Sequence, residues 1–532
     1  MPSFSNRLWG KFNRDPTPED AAPGFCMQYH VKHETNRTSS LCASRSVVKY
    51  YQQGISTQHF YGCLIQGVPP ASVCYQSEPN YNISECETVT ASWFSSSFHA
   101  NDPISVRWPW WANNSWEKGY RIGGSPVCSV NAIEEAHIVA ATEREEHRTC
   151  QGRSTGFGTL SVWTHRMRGY TWHDNFQAER CNGSGLEMAA TFAAGERDRN
   201  VYEATARHNA VIVAGSAQDV GIVGWFTGGG HGPLSSTYGL GIDNVFEVRI
   251  VTPDGVLRTA NACGGGGTFG VVTSNTTGFW DIVADTMTHF PTLKAGALIA
   301  PILQKLDAEN GTSFVYTAEI KTYRDLFSVW NSTVGEETVA TGGAILGSRL
   351  LPASALTDDP QNLARVLQNV SVSDDGIPGV LQAYLIAPSL NDTTSSVSAT
   401  PAWRSAVLHT IVSSGFPDNY TFDEAQPFLT DLTYDRVANL KSLAPESGSY
   451  LNEADAFDSN WQYDFWGANY ARLRGIKKRC VGSENWVNDG SGRLFWPMVE
   501  PCLVYLNQVT LRDTDQVTGE RGIHVVPYVR YY

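Results

Sequence analysis

The stretch Gly224–Asn261, GWFTGGGHGPLSSTYGLGIDNVFEVRIVTPDGVLRTAN, joins a run of glycines to a pattern typical of β-strands. Glycine has no Cβ, so its backbone can adopt positive φ and lets a ligand approach closely. Bare backbone N–H groups bind anions, which makes a phosphate-bearing cofactor one explanation of the run. The other explanation is that these glycines form bulges and tight turns in a β-rich domain. The stretch alone is compatible with both.

The glycine spacing does not match the two common phosphate-binding loops. A P-loop requires G-x-x-x-x-G-K-[ST], and no Lys follows a glycine cluster in that pattern. A Rossmann fingerprint requires G-x-G-x-x-G between a strand and a helix. Gly228 and Gly230 begin that fingerprint, but Pro233 stands where the third glycine belongs. The later cluster CGGGGTFGVVTS matches from Gly265 to Gly270, but the β-branched run that follows it predicts a strand instead of a helix.

Length, composition and charge limit the class of protein. A chain of 532 residues is too long for one core, so we expect two or three domains. A hydrophobic content of 42% and an aromatic content of 11% indicate a globular protein. The formal net charge of −14 argues against nucleic acid or an anionic membrane as a partner. No apolar run approaches the roughly 18 residues that span a bilayer.

Cysteines and glycosylation sequons point to the secretory pathway. None of the 11 cysteines forms a C-x-x-C pair, so we expect no structural zinc site and assign no metal ligand. Cysteines crowd the first part of the chain, where Cys74 and Cys86 make a plausible disulfide. The first residues, MPSFSNRLWGKFNRDPTPED, contain no apolar signal segment, so we expect the true start to be missing. Sequons of the form N-x-[ST] occur at Asn36, Asn82, Asn113, Asn182, Asn275, Asn310, Asn331, Asn369, Asn391 and Asn419.

Periodicity predicts an α+β protein. NAIEEAHIVAATEREEH is typical of a helix, TLSVWTHRM of a strand, and NVYEATARHNAVIVAG of a helix that runs into a strand. NVFEVRIVTPDGVLRTA predicts a β-hairpin with its turn at PDG. Further along, DLFSVWNSTVG, DPQNLARVLQNV and the basic NYARLRGIKKR predict helices, and SFVYTAEI and VLQAYLIAP predict strands. Before residue 117 few helix patterns occur.

Five motifs occur in one order: QGRSTGFGTLSVWTH, GGGHGPLSSTYGLGIDNVFEVRIVTPDG, GGGGTFGVVTS, TPAWRSAVLHTIV and YLNEADAFDSNWQYDFWGANYARLRGIKK. In these motifs the chain resembles the FAD-linked oxidases of the vanillyl-alcohol-oxidase, or PCMH-type, superfamily. Within it the chain is similar to the fungal berberine-bridge-like branch, often called isoamyl alcohol oxidases. GVPPASVCYQ and SSSFHANDPISVRWPWWANNS resemble that branch's N-terminal extension.

The resemblance implies an α+β fold in which a PCMH-type FAD-binding domain of two α+β subdomains is joined to an antiparallel-sheet substrate domain. The implied segments are a Cys- and Trp-rich N-terminal extension (1–117), the FAD-binding domain (118–290), the substrate domain (291–445), a C-terminal segment that completes the FAD site (446–495) and an atypical tail (496–532). We expect a monomer that acts on a small molecule and uses O2.

The resemblance also implies where FAD binds. The residues it assigns to the cofactor are Gly152, Arg153, Ser154, Gly228, Gly229, Gly230, His231, Gly232, Asp243, Gly270, Val271, Val272 and Asn469. His231 would contact flavin or merely cap a turn, and His165 is expected to be structural. Relatives attach flavin through a His in a TGHD stretch, which EREEHRTC replaces here, so covalent attachment through His147 is not expected. Ala217 stands where some relatives have a second, cysteine link.

For catalysis the resemblance points to Tyr450 and Asn452, which match the family's Tyr-x-Asn motif. On a strand, positions two apart share a face, so both would point into the site. A phenol titrates near ~10, so a site that uses it as a base must favour the phenolate. Without the resemblance, Tyr450 would be a half-buried strand tyrosine.

Three functions follow from these observations. The first is an oxidase that transfers hydride from an alcohol or a secondary-metabolite intermediate to flavin N5 and produces hydrogen peroxide from O2. The second is a flavin-free or impaired scaffold relative, because short family segments are absent near Cys150, Cys263 and Cys480. The third is an oligosaccharide oxidase.

Overall fold

The structure is a computed structural model. It describes residues 64–105, 128–142, 160–181, 187–252, 255–261, 263–264, 304, 307–308, 317–319, 326–334, 343–371, 379–386, 397–416, 420, 422–455, 457–481, 505–512 and 528–530. In these parts of the chain no helix is long and apolar enough to cross a membrane.

The N-terminal extension forms more regular structure than its sequence predicts. It contains β1 (Leu64–Gln66), α1 (Ile83–Ser92) and α2 (Ser96–Ala100). Asn82 caps α1, because its side-chain oxygen accepts from the backbone N–H groups of Ser84 and Glu85. The predicted disulfide between Cys74 and Cys86 is confirmed, with a Cα–Cα distance of 4.8 Å.

The glycine-rich part of the chain contains two sheets. In the smaller sheet β1 runs antiparallel to β2 (Cys128–Asn131), and β2 runs parallel to β3 (Leu160–Trp163). The larger sheet is antiparallel and has the order β4-β5-β12-β6-β7. Its strands are β4 (Tyr170–Phe176), β5 (Glu187–Ala193), β6 (Val245–Val251), β7 (Leu257–Asn261) and β12 (Tyr505–Arg512). The predicted hairpin is confirmed, since Val251 pairs with Leu257 and Glu247 with Asn261.

The tail is more closely integrated than the sequence suggests. Its strand β12 lies in the middle of the larger sheet and pairs with both β5 and β6. A long-range strand of this kind cannot be recognised from local pattern, because its partners lie hundreds of residues away in the chain. A segment expected to be atypical therefore supplies the central strand of the larger sheet.

Among the described residues of this part, the helices are α3 (Glu135–Thr142), α4 (Asp198–Ala206), α5 (Ile222–Thr227) and α6 (Ser235–Tyr238). The strand predicted after α4 does not form, although residues 212–215 are buried. The carbonyls of Ala214 and Gly215 instead accept hydrogen bonds of 3.1 Å from the Tyr202 hydroxyl. A side chain of α4 thus replaces a strand neighbour.

A second disulfide, which the sequence did not predict, joins Cys181 to Cys263. It links the segment after edge strand β4 to the end of β7, the opposite edge strand. With a sequence separation of 82 residues, loop-closure entropy gives it a stabilising effect of about 4–5 kcal/mol.

The middle of the chain forms the predicted antiparallel sheet, in the order β10-β11-β9. Its strands are β9 (Gly343–Pro352), β10 (Gly379–Leu385) and β11 (Ala406–Phe416); β8 (Thr317–Glu319) pairs separately with β13 (Tyr528–Arg530). The helices are α7 (Leu326–Thr333), α8 (Ala353–Thr357), α9 (Pro360–Ser371), α10 (Phe422–Asp431), a π-helical turn (Leu432–Arg436), α11 (Val437–Leu443), α12 (Trp461–Trp466) and α13 (Asn469–Val481).

One hydrophobic core spans two halves of the molecule: the glycine-rich half with its two sheets, and the half that contains the antiparallel sheet β10-β11-β9. Phe192, Ile222 and Phe226 from the glycine-rich half lie in the same buried cluster as Trp403 and Tyr450. Because apolar burial is the main stabilising term in folding, this shared core holds the glycine loop against the antiparallel sheet.

Candidate active site

The glycine loop after α5 is shaped by its own neighbours. Gly229 and Gly230 have φ angles of 126° and 79°, which favour glycine. A Cβ on Gly229 would lie 2.8 Å from Trp403 Nε1, and one on Gly228 would lie 2.9 Å from Tyr450 Cε2. A Cβ on Gly232 would collide with the carbonyl oxygen of Ala214. Tight turns and close packing therefore account for much of the glycine run.

The same loop also presents backbone donors. Gly229 N–H donates to the Phe226 carbonyl at 2.9 Å, and Gly232 N–H donates to Ser235 Oγ at 2.8 Å. In the described parts of the chain, the buried N–H groups of Gly230 and His231 have no hydrogen-bond acceptor. A buried N–H without an acceptor costs free energy, so a bound group with acceptor atoms fits here. Both explanations of the glycine run thus apply.

Tyr450 lies directly beneath the glycine loop and is 2% exposed. Its hydroxyl donates to the Trp225 carbonyl at 2.9 Å. Asn452 Nδ2 donates to the same hydroxyl at 2.6 Å and to the Gly224 carbonyl at 2.9 Å. The phenolic oxygen therefore donates to one main-chain carbonyl and accepts from one amide, which fixes its position.

The strand assignment for this pair is wrong. Tyr450 is extended, with φ −76° and ψ 117°, but a 3₁₀ turn begins directly after it at Leu451–Glu453. Asn452 meets Tyr450 because this turn folds the chain back, and not because the two alternate along a strand. The two side chains still meet, since Asn452 Nδ2 lies 2.6 Å from the Tyr450 hydroxyl.

Hydrogen bonds to β9 and α12 set the position of Tyr450. Leu350 N–H donates to the Gly448 carbonyl at 2.9 Å, and Ser449 Oγ donates to the Ser348 carbonyl at 2.6 Å. Ser449 N–H also donates to the main-chain carbonyl of Asp464 at 2.7 Å. These bonds fix the residue before Tyr450 from two sides.

Two histidines and a glutamate lie beside Tyr450. Glu453 Oε2 is 3.0 Å from His231 Nε2 and 3.4 Å from His409 Nδ1. The ring centroids of His231 and His409 are 4.8 Å apart, and each lies within 6 Å of the Tyr450 ring. Burial, and secondly the neighbouring His231, hold the pKa of His409 well below its usual range. The buried surroundings of His409 therefore favour its neutral form.

His409 and Glu453 are not among the residues predicted from the sequence. Both stand in motifs that carry the family resemblance, LHTIV and YLNEAD. Their position in those motifs could have marked them as candidate site residues. Their closeness in space could not be predicted from the sequence, because His409 lies on β11, Glu453 in the turn after Tyr450 and His231 in the glycine loop.

Two of the expected cofactor residues are engaged with the protein. Both carboxylate oxygens of Asp243 accept from Arg404 at 2.7 Å, in a bidentate pair that joins the two halves of the molecule. Asn469 Nδ2 donates to the carbonyls of Ala399 at 2.8 Å and Val397 at 3.2 Å. Their roles toward the cofactor stay predictions.

The remaining expected cofactor residues lie outside the described residues. They are Gly152, Arg153, Ser154, Gly270, Val271 and Val272. His147, the residue considered for covalent attachment, also lies outside the described residues. Ala217, which is described, carries no thiol, so a cysteinyl link to flavin cannot form there.

His165 has a structural environment, in line with its expected role. Its ring lies 9° from coplanar with that of Trp163, at a centroid distance of 5.2 Å. Arg168 approaches both ring nitrogens, at 3.2 and 3.1 Å. Burial first, and then Arg168 and Arg197, lower the pKa of His165 to about 4.

This shift predicts that His165 reduces stability in acid. The unfolded chain, with a His pKa near 6.5, binds more protons than the folded chain between about pH 4 and 6.5. Stability therefore falls as pH falls through that window. We expect the melting temperature of His165→Gln to fall less steeply than that of the parent as the pH is lowered through this window. The control is His208→Gln, an exposed histidine stacked on Trp172; an unchanged slope for His165→Gln contradicts the prediction.

These features define a class: a two-part α+β protein in which a glycine loop, with two backbone donors that have no acceptor among the described residues, meets buried Tyr450 and half-buried Asn452. Family models agree with it. The model for an FAD binding domain matches residues 130–261, and that for berberine and berberine-like proteins matches residues 449–480.

Similar proteins support the same class. The VAO-type flavoprotein oxidase VAO615 of Thermothelomyces thermophilus is 28% identical over 542 residues, covering 81% of this chain and 91% of that protein. The FAD-linked oxidoreductase patO of Aspergillus clavatus is 27% identical over 530 residues, covering 81% and 90%. The crystal structure of the VAO-type flavoprotein MtVAO713 from Myceliophthora thermophila C1 is similar in fold, with a TM-score of 0.70 at 21% identity, covering 88% of this chain and 98% of that one.

The chain therefore contains an FAD-binding domain and a berberine-like segment, and over four fifths of its length it is similar to FAD-linked oxidoreductases and to a VAO-type flavoprotein oxidase. It is an FAD-dependent oxidoreductase, and the α+β fold with a PCMH-type FAD-binding domain is confirmed. Its substrate is a small molecule.

Proposed function

We propose that this protein is an oxidase that takes hydride from an alcohol carbon, either of a small alcohol or of a secondary-metabolite intermediate, and uses O2 as acceptor with hydrogen peroxide as product. The observation that carries the proposal is the Tyr450–Asn452 pair, with Tyr450 buried against the glycine loop where the two parts of the molecule meet. VAO615, one of its relatives, is named a flavoprotein oxidase.

FAD, when bound, supplies the hydride acceptor and the reaction with oxygen. The chain's part is to hold it and to move a proton. The free N–H groups of Gly230 and His231 would donate to it, and the expected residues Gly152, Arg153 and Ser154 would hold it further along. Asp243 and Asn469 would act indirectly, by fixing Arg404 and the main chain of Val397 and Ala399 beside the loop.

Tyr450 is the proposed base for the hydroxyl proton of the substrate. Its hydroxyl is oriented by the Trp225 carbonyl and by Asn452, so the oxygen is held in one place. Positioned general bases contribute about 10²–10⁴-fold to rate. To act as a base Tyr450 must be a phenolate, and Asn452 would stabilise that phenolate by donating a hydrogen bond to its oxygen.

We also propose that the protein is a secreted glycoprotein. Two disulfides, Cys74–Cys86 and Cys181–Cys263, are typical of an oxidising compartment. Among the described residues, the sequon asparagines Asn82, Asn331 and Asn369 are all exposed.

The test begins with the purified protein from a secreting eukaryotic host. We expect a yellow protein whose flavin is released to the supernatant on acid precipitation, because neither covalent motif of the family is present. We expect hydrogen peroxide with members of an alcohol panel and none with a matched oligosaccharide panel. A folded but colourless protein, or a yellow one that no alcohol reduces, would overturn the oxidase proposal. Flavin that stays in the pellet would overturn only the non-covalent expectation and make His147 the first residue to substitute.

A further inference from the structure

The cluster beside Tyr450 has the composition of a metal centre. His231, His409 and Glu453 each offer one ligand atom, and these atoms all lie within 4.8 Å of one another. We propose that these three residues bind one divalent transition-metal ion of the zinc class. No cysteine takes part, so the expectation that cysteine spacing excludes zinc does not bear on this site.

The donor set suits such a cation. Two imidazole nitrogens and one carboxylate oxygen are ligands that zinc and its neighbours prefer, and three protein ligands leave one position open. Zinc with ligand distances near ~2.0–2.2 Å places tetrahedral ligand atoms about 3.3 Å apart. Glu453 Oε2 already lies 3.0 Å from His231 Nε2 and 3.4 Å from His409 Nδ1. The two histidine nitrogens, which lie within 4.8 Å of each other, would need to move closer together to reach that spacing.

An unsatisfied side chain provides the second argument. His409 is fully buried, and neither of its ring nitrogens makes a hydrogen bond within the described parts of the chain. A buried polar group without a partner costs about 1–3 kcal/mol, so something should satisfy it. The 3.0 Å contact between His231 and Glu453 explains that pair as an ordinary hydrogen bond, but it leaves His409 unexplained.

The position of the cluster links the cation to the substrate. His231 and His409 lie against the ring of Tyr450, the proposed base. A cation with an open position beside this tyrosine would bind the substrate's alcohol oxygen and make its proton more acidic. This role rests on the proposed oxidase function, whereas binding of the cation does not.

The experiment measures metal and flavin separately. The untagged, flavin-loaded protein is stripped with a chelator and titrated with Zn²⁺ alone by calorimetry, and its metal content after purification is measured by mass spectrometry. We expect one equivalent of Zn²⁺ per chain. We also expect Co²⁺ to give visible d–d bands to the red of the flavin absorption. Outer-shell changes at metal sites cost 10–100-fold in affinity, so loss of a ligand should weaken binding by at least about 100-fold.

The variants are Glu453→Gln and His409→Asn, each checked for folding by circular dichroism and for bound flavin by absorbance. Glu453 is partly exposed, so its variant remains informative if the buried His409 variant does not fold. Matched controls are Glu446→Gln and His208→Asn, which should bind Zn²⁺ as the parent does. No binding to the folded, flavin-loaded parent, or equal binding to Glu453→Gln, overturns the metal site. Peroxide production by the stripped protein at the parent's rate would remove the cation's role and leave the oxidase proposal standing. Tight Zn²⁺ binding by a protein that oxidises no alcohol would overturn the oxidase proposal and leave the metal site standing.

Discussion

Tyr450→Phe is expected to slow anaerobic reduction of the flavin by substrate about 10²–10⁴-fold, the usual contribution of a positioned general base. The phenylalanine ring keeps the packing of Tyr450 against Trp403 and His231, whose ring centroids lie 5.3 Å away. Only the hydroxyl is lost, so the flavin content per chain should not change. The measurement is single-turnover reduction followed in a stopped-flow spectrophotometer.

A second tyrosine offers the control. Tyr463 is 40% exposed and its hydroxyl donates to the Glu446 carbonyl at 3.0 Å, away from the glycine loop. Tyr463→Phe should reduce flavin at the parental rate. If Tyr450→Phe also reduces flavin at that rate, Tyr450 is not the base, and the proton must go to another group of the site. A shift in the pH profile of reduction would separate a proton-transfer role from loss of packing.

Gly229→Ala is expected to destabilise the protein by about 2–6 kcal/mol and to lower its flavin content. Alanine at a φ of 126° is strained, which costs about 1–3 kcal/mol. The added methyl group would also press on buried Trp403, and overpacking of this kind costs about 1–3 kcal/mol more. Chemical denaturation and flavin absorbance per chain measure the two effects.

Gly224→Ala is the matched control, five residues earlier in the same segment. It lies inside helix α5, and a Cβ there meets nothing within 4 Å. Alanine in a helix is favoured over glycine by about 0.5–1 kcal/mol, so stability should hold or rise. Equal behaviour of the two variants would mean that the loop yields easily and that its glycines are not required.

Much of the local structure could be predicted from the sequence. The hairpin of β6 and β7, the helices α7, α9 and α13, and the Cys74–Cys86 disulfide all formed where predicted. Each depends on neighbours within about one element of chain, so periodicity and turn residues are sufficient. The strand predicted after Tyr202 failed because a tertiary hydrogen bond from that tyrosine took the carbonyls a strand would have used.

The site was predicted only in part. Tyr450 and Asn452 meet as expected, although through a 3₁₀ turn instead of a strand. His409 and Glu453 were not singled out, since a histidine on a strand and a glutamate after an asparagine carry no local signal of their partner. Asp243 is expected near the nucleotide from its motif, and that expectation stays a prediction; its pairing with Arg404, 161 residues away, carries no local signal.

By itself, then, the amino-acid sequence determined the α+β class, the motif order that defines the FAD-linked family, and the elements whose contacts are short-range. Only the tertiary structure decided that the tail strand β12 completes the glycine-rich half's sheet, that Cys181 pairs with Cys263, and that His231, His409 and Glu453 converge beside Tyr450. The physical reason is the same in each case. These contacts join segments far apart in the chain, and they form because burying the shared core brings their backbones together, not because any one segment prefers them.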